Sequence, residues 1–232
     1  MNGILRKIAG QRLTKKCAVT VAFCAAILTG CAGLPLVSQM LVQPTREMYS
    51  SELFFDDFSE NNSGWDRYES AAGKTDYVKG GYRIAVYEPM TDFFANPYQN
   101  FKDVIVEVKA ARVEGPENNS FGVICRYQDE ENFYAAQISS DGYGGIFRMK
   151  DGAYSLLGLE NMIPVPAVLG GSGENIIRFE CVGNALTLFA NGQPVDYRED
   201  DSFDKGDVGL IAGTFDEGGV VIEFDDFRVT QP

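Results

Sequence analysis

The chain has 232 residues, with 20 Lys+Arg against 33 Asp+Glu, no His, and a formal net charge of −13. The absence of imidazole excludes Ser-His-Asp and Cys-His catalysis and any His-ligated metal. The acidic balance excludes a nucleic-acid partner, because such a surface repels phosphate.

Taken in order, the chain opens on a segment unlike the rest. Residues 1–16 carry Arg6, Lys7, Arg12, Lys15 and Lys16 and no acid, and residues 17–28 are almost wholly apolar. A basic head, a short apolar run and small residues before a cut predict an export signal. The run is shorter than the roughly 20 residues a spanning helix needs. Leu28-Thr29-Gly30-Cys31 resembles the lipobox of bacterial lipoproteins. The resemblance implies removal of residues 1–30, acyl chains on Cys31, and an extracytoplasmic protein held to a membrane of the bacterial envelope. Five cations leave with the signal, so 15 Lys+Arg remain against 33 Asp+Glu, a net charge of −18. The lipid, not a basic patch, is then what reaches the membrane.

Residues 31–51 read as the lipidated Cys and a tether, with Pro35, Pro44 and no hydrophobic period. Residues 52–232 read as one domain of strands and turns with a sizeable core. Tyr82 to Tyr87 follows the turn Lys79-Gly80-Gly81, and Val104 to Ala110 alternates with Glu107 and Lys109 on one face. Residues 120–142, SFGVICRYQDEENFYAAQISSDG, form a predicted hairpin about the polar turn Gln128–Asn132. A period of two places Phe121, Val123, Cys125 and Tyr127 on one face and Gly122, Ile124, Arg126 and Gln128 on the other. Gly145 to Lys150 ends at the hairpin turn Asp151-Gly152, and a Pro- and Gly-rich loop spans Ile163 to Gly173. Asn175 to Val182 and Ala185 to Ala190 are joined at Gly183-Asn184, and Val208 to Ala212 and Val220 to Val229 close the series. Many short strands punctuated by turns predict an all-β antiparallel sandwich.

Five stretches carry a family likeness: FDDF with SGW at 55–65, FGVICRYQDEENFYAAQI, NIIRFECVGNALTLFANGQPV, VGLIAGTF and IEFDDFRV. Together they resemble the concanavalin A-like, laminin-G-like jelly-roll domains related to family-sixteen glycoside hydrolases and 3-keto-disaccharide hydrolases. The likeness covers residues 53–230, and its motifs are mostly structural. It implies a jelly roll and an association with saccharides.

Four groups of residues are candidates for chemistry or cross-linking. Cys125 and Cys181 have apolar neighbours at i±2 and point to the core. In an oxidising compartment a disulfide worth about 4 kcal/mol is expected if their strands are neighbours, the alternative being two buried free thiols. Glu223, Asp225 and Asp226 superficially match the acid strand of family-sixteen glycosidases, but Arg228 stands where the acid/base partner belongs. The same carboxylates have another use, since first and last strands of a jelly roll lie side by side. Asp56 and Asp57 with Asp225 and Asp226 are therefore candidate ligands of a structural calcium, no other cofactor being required. Finally, if the strands of 120–150 form a meander, Arg126, Gln137 and Arg148 line up across one sheet face. Tyr143, Trp65, Tyr87 and Tyr98 are candidate stacking rings at its rim. Such a face is expected to bind a glycan without turnover. The alternatives are a saccharide hydrolase and a structural or protein-interaction module of a surface assembly, and the sequence names no protein partner.

Overall fold

A computed structural model describes residues 51–232, which fold into sixteen strands and no helix. The expected export signal, the expected lipidation site Cys31 and most of the expected tether lie outside the described residues. The strands in chain order are β1 (Glu52–Asp56), β2 (Tyr68–Glu69), β3 (Gly73–Val78), β4 (Gly81–Val86), β5 (Asp92–Ala95), β6 (Val104–Glu114), β7 (Asn119–Asp129) and β8 (Asn132–Ile138). They continue as β9 (Tyr143–Lys150), β10 (Ala153–Leu156), β11 (Ile163–Pro164), β12 (Asn175–Val182), β13 (Ala185–Ala190), β14 (Gln193–Glu199), β15 (Asp207–Thr214) and β16 (Val220–Thr230).

Turn chemistry sets the hairpins. Asp151-Gly152 and Asn191-Gly192 both take positive φ at both residues, the geometry that suits the right-handed twist of the strands they join. One sheet has nine strands in the order β14-β13-β12-β6-β16-β4-β3-β2, and β1 pairs with the second half of β16. The other has seven, ordered β10-β9-β8-β7-β15-β5, with β11 beside β9. Every pairing is antiparallel. The first and last strands are indeed neighbours, Asp56 opposite Phe227.

Alternate residues of facing strands fill the space between the sheets. Val104, Val106 and Val108 of β6 and Ile177 and Phe179 of β12 meet Phe121 and Val123 of β7 and Leu210 and Ala212 of β15 in one cluster. Cys125 of β7 and Cys181 of β12 are joined in a disulfide that bridges the two sheets, with 6.8 Å between their Cα atoms. Several bulges interrupt the period of two, and two of them decide which side chains reach the core. Asp226 (φ 50°) lets β16 return Phe227 and Val229 to the core after Phe224. Arg126 (φ 53°) does the same to β7, with a different outcome. The extra residue turns Tyr127 onto the outer face, against Phe94 and Phe133, where uninterrupted alternation expects it in the core.

Trp65 sits in the core at 3% exposure, its ring 4.8 Å from Phe227 and 5.4 Å from Phe58. Its Nε1 donates to Asp56 Oδ2 at 2.8 Å, so the one polar atom of a buried indole is satisfied.

Candidate functional site

The outer faces of the two sheets differ in kind. On the nine-stranded sheet, Arg83 pairs with Glu223, Lys109 with Asp226, Arg178 with Glu180 and Arg228 with Glu52, all partly exposed. This is an ion-pair ladder on a wet face, worth little to stability. The outer face of the seven-stranded sheet is aromatic. Ile124, Phe133, Ala135 and Ile211 form a second buried cluster there, with Phe94, Tyr127, Phe147, Met149 and Tyr154 packed against it. Phe147 and Tyr154 stack at 5.1 Å, with 8° between their planes.

A polar group interrupts this apolar surface. Register places Gly213 opposite both Asp92 and Ser120, and Gly122 opposite both Ile211 and Gln137. All six lie on the same face, because directly paired residues share one. The glycines keep the floor low. A Cβ on Gly213 would stand 1.8 Å from Asp92 Oδ1, so only a residue without one lets the carboxyl lie across the strand toward Ser120. Gln137 is 1% exposed, yet its amide is engaged: Tyr154 Oη donates to Gln137 Oε1 at 2.7 Å, and Gln137 Nε2 donates to Ser120 Oγ at 3.4 Å. Asp92 is exposed as a residue, but protein crowds its carboxyl, and this desolvation pushes its pKa up to about 6. Burial, with the charge of Asp92 adding to it, holds the Tyr154 phenol well above its ordinary value. Asp92, Ser120, Gln137 and Tyr154 thus gather on strands β5, β7, β8 and β10. Tyr143, 41% exposed, stands at the start of β9 on the same face, two residues before Gly145, which pairs with Gln137.

Of the residues expected to line this face, Gln137 and Tyr143 are there and the rest are elsewhere. Arg126 is carried inward by its bulge. Its guanidinium is 1% exposed and donates to Lys102 O (3.3 Å), Phe203 O (2.9 Å) and Asp103 Oδ1 (3.3 Å). Arg148 pairs in register with Tyr134 on the inner side of its sheet, where its Nη1 meets Asp200 Oδ2 at 2.6 Å. The expected row Arg126–Gln137–Arg148 therefore does not form. Trp65 is buried in the core and offers no surface ring. Tyr87 and Tyr98 are exposed, but Tyr98 donates to Asp66.

The four acids proposed for calcium do not converge either. Asp56 turns inward, accepting from Phe58 N at 2.8 Å, Trp65 Nε1 and Ser63 Oγ, while Asp226 pairs with Lys109 at 2.6 Å. Among the described residues no three His, Cys, Asp or Glu side chains come together as a metal would require. The residues missed from sequence were Asp92, Ser120, Phe94, Phe147 and Tyr154. A signal for them existed: FGVIC and FYAAQI are nearly continuous apolar runs in an antiparallel sheet, which marks strands with both faces covered.

No protein-family model and no curated protein matches the chain. Solved structures do. The carbohydrate-binding module CBM66 from Bacillus subtilis is 16% identical, with a TM-score of 0.58 over 72% of this chain and 96% of the module. A Bacillus subtilis protein of unknown function with a galectin-like fold matches at 13% identity and TM-score 0.55, covering 79% of this chain and 97% of that one. The β-glucanase of Bacillus licheniformis matches at 11% identity and TM-score 0.54, covering 77% and 98%. What the chain shares with all three is its fold, an antiparallel galectin-like jelly-roll sandwich.

Proposed function

We propose that the protein binds carbohydrate without turning it over, on the outer face of the seven-stranded sheet, and is held to the bacterial envelope by lipid on Cys31. The observation that carries this reading is a partly open aromatic floor beside convergent hydroxyl, amide and carboxyl groups. Aromatic rings cover the C–H faces of a sugar, while side-chain oxygens and amides take its hydroxyls. The likeness to a carbohydrate-binding module supports the same reading, and the disulfide suits an oxidising compartment. Screening the full chain in detergent micelles against a glycan array tests it. Binding to at least one glycan is expected, weakened at least tenfold by Tyr143→Ala and by Phe147→Ala. Absence of binding to every glycan would turn the assignment toward a protein-interaction module.

Hydrolysis is the second reading, favoured by one observation: Asp92, with its pKa near 6, suits a general acid. Glycoside hydrolysis generally uses a second carboxylate across the scissile bond. Among the strand residues of this face no such partner stands beside Asp92. Release of new reducing ends from a bound glycan, abolished by Asp92→Asn, would establish the enzyme.

A further inference from the structure

Charge on the aromatic face is one-sided. The strands of the seven-stranded sheet contain three cations, Arg126, Arg148 and Lys150. Arg126 is turned inward by the bulge, Arg148 is bound to Asp200, and Lys150 Nζ donates to Ser202 Oγ at 3.3 Å on that same side. None belongs to the outer face. An anionic group does belong to it, since Asp92 lies over Gly213, and the charges of Glu130, Asp66 and Asp129 reach Tyr127 at the far end of the aromatic floor. Around Asp92, β7 presents Ser120, β8 Gln137, β10 Tyr154 and β15 Gly213, while β3 and β4, which also pack against β5, hold their cations elsewhere, Lys74 with Glu69 and Asp76 and Arg83 with Glu223.

We infer that this face takes an uncharged saccharide and rejects acidic ones, with Asp92 accepting the sugar's hydroxyls and also repelling a carboxylate or sulfate. The inference rests on the glycan-binding reading above. A carboxylate accepts hydroxyl donors through two oxygens, and charge-assisted bonds of this kind are the stronger ones. A uronate about 6 Å from Asp92, at the intermediate dielectric of a half-open site, loses about tenfold in affinity through like-charge repulsion. No arginine is present to reverse the sign. An acidic polysaccharide therefore meets both a missing cation and an opposing anion.

Calorimetry on the full chain in micelles, with xylohexaose, laminarihexaose and mannohexaose against hexagalacturonate and hexaguluronate, tests the inference at pH 7.5. The best neutral hexasaccharide is expected to bind at least tenfold more tightly than either acidic one. Asp92→Asn is expected to weaken neutral binding and to narrow that gap at least threefold. Lowering the pH to 5.5 should raise acidic-sugar affinity in the native chain more than in the variant, a response that a merely structural Asp92 would not give. Equal or tighter binding of the acidic sugars, or a gap unchanged in Asp92→Asn, overturns the inference while leaving glycan binding intact. Failure of all five sugars in a chain that also binds nothing on the array removes the glycan-binding reading itself.

Discussion

Arg126 buries a guanidinium where the sequence pattern places a surface cation. Its side chain is shut from water and donates to Lys102 O, Phe203 O and the Asp103 carboxylate; removing it takes a donor from the two carbonyls, while Asp103, 38% exposed, keeps Gly183 N. Breaking a buried, hydrogen-bonded charge typically costs several kcal/mol. Arg126→Met is expected to lower unfolding free energy by about 2–4 kcal/mol and to leave glycan affinity unchanged. Trp65, the single Trp and 3% exposed, provides the fluorescence signal for a urea titration that measures it. A stability loss under about 0.5 kcal/mol would show that the pocket solvates its own acceptors.

At the scale of the element, β7 explains most of what sequence reasoning reached and where it stopped. Alternation correctly placed Phe121, Val123 and Cys125 inward, and the disulfide with Cys181 followed from that placement and the compartment. Replacing both cysteines by Ala is expected to lower stability by about 4 kcal/mol, the loop-entropy value for a separation of 56 residues, as read from melting with and without reductant. Beyond Cys125 the period broke at a bulge that leaves no local mark in RYQDE, so Tyr127 and Arg126 exchanged faces. Arg148 departs from the pattern for another reason. Alternation places a polar residue on the outer face, but this sheet is apolar on both sides, so the Arg lies at the inner edge, beside Asp200. Periodicity distinguishes two faces and does not say which of them is wet. Asp92 was invisible for a third reason: its role depends on Gly213 and Ser120, about 120 and 30 residues along the chain, and only strand pairing brings them together.

For the whole molecule, acidity and stability are linked through carboxyls that folding moves in opposite directions. Burial raises Asp92 and Asp207 to about 6 from an ordinary 3.8, so the folded chain binds these protons more tightly than the unfolded chain does. Their contribution is fully present below pH 3.8 and is lost as pH rises through about 6. Asp200 behaves oppositely: hydrogen bonds from Tyr134 and Ser202, aided by Arg148, outweigh burial and lower it, so its contribution is lost on acidification below 3.8. Stability is therefore expected to peak between these ranges and to decline from pH 4 to 6.5. The measurement is the urea midpoint against pH, and Asp92→Asn with Asp207→Asn should flatten that limb. A midpoint that rises steadily across the interval would contradict both assignments.

The disulfide also has a mechanical meaning. The described chain enters at Ser51, whose carbonyl accepts from Gln231 N at 3.1 Å, beside β1 on the nine-stranded sheet, while the aromatic face belongs to the other sheet. A pull on a molecule seated there, resisted at Ser51, crosses from one sheet to the other. Hydrogen-bonded strands carry the load from β1 through β16 and β6 to β12, and from Cys181 it passes through a covalent bond to Cys125 on β7, the strand that bears Ser120 and Gly122. Shearing the sandwich apart then requires breaking sulfur from sulfur, not sliding one apolar layer over another.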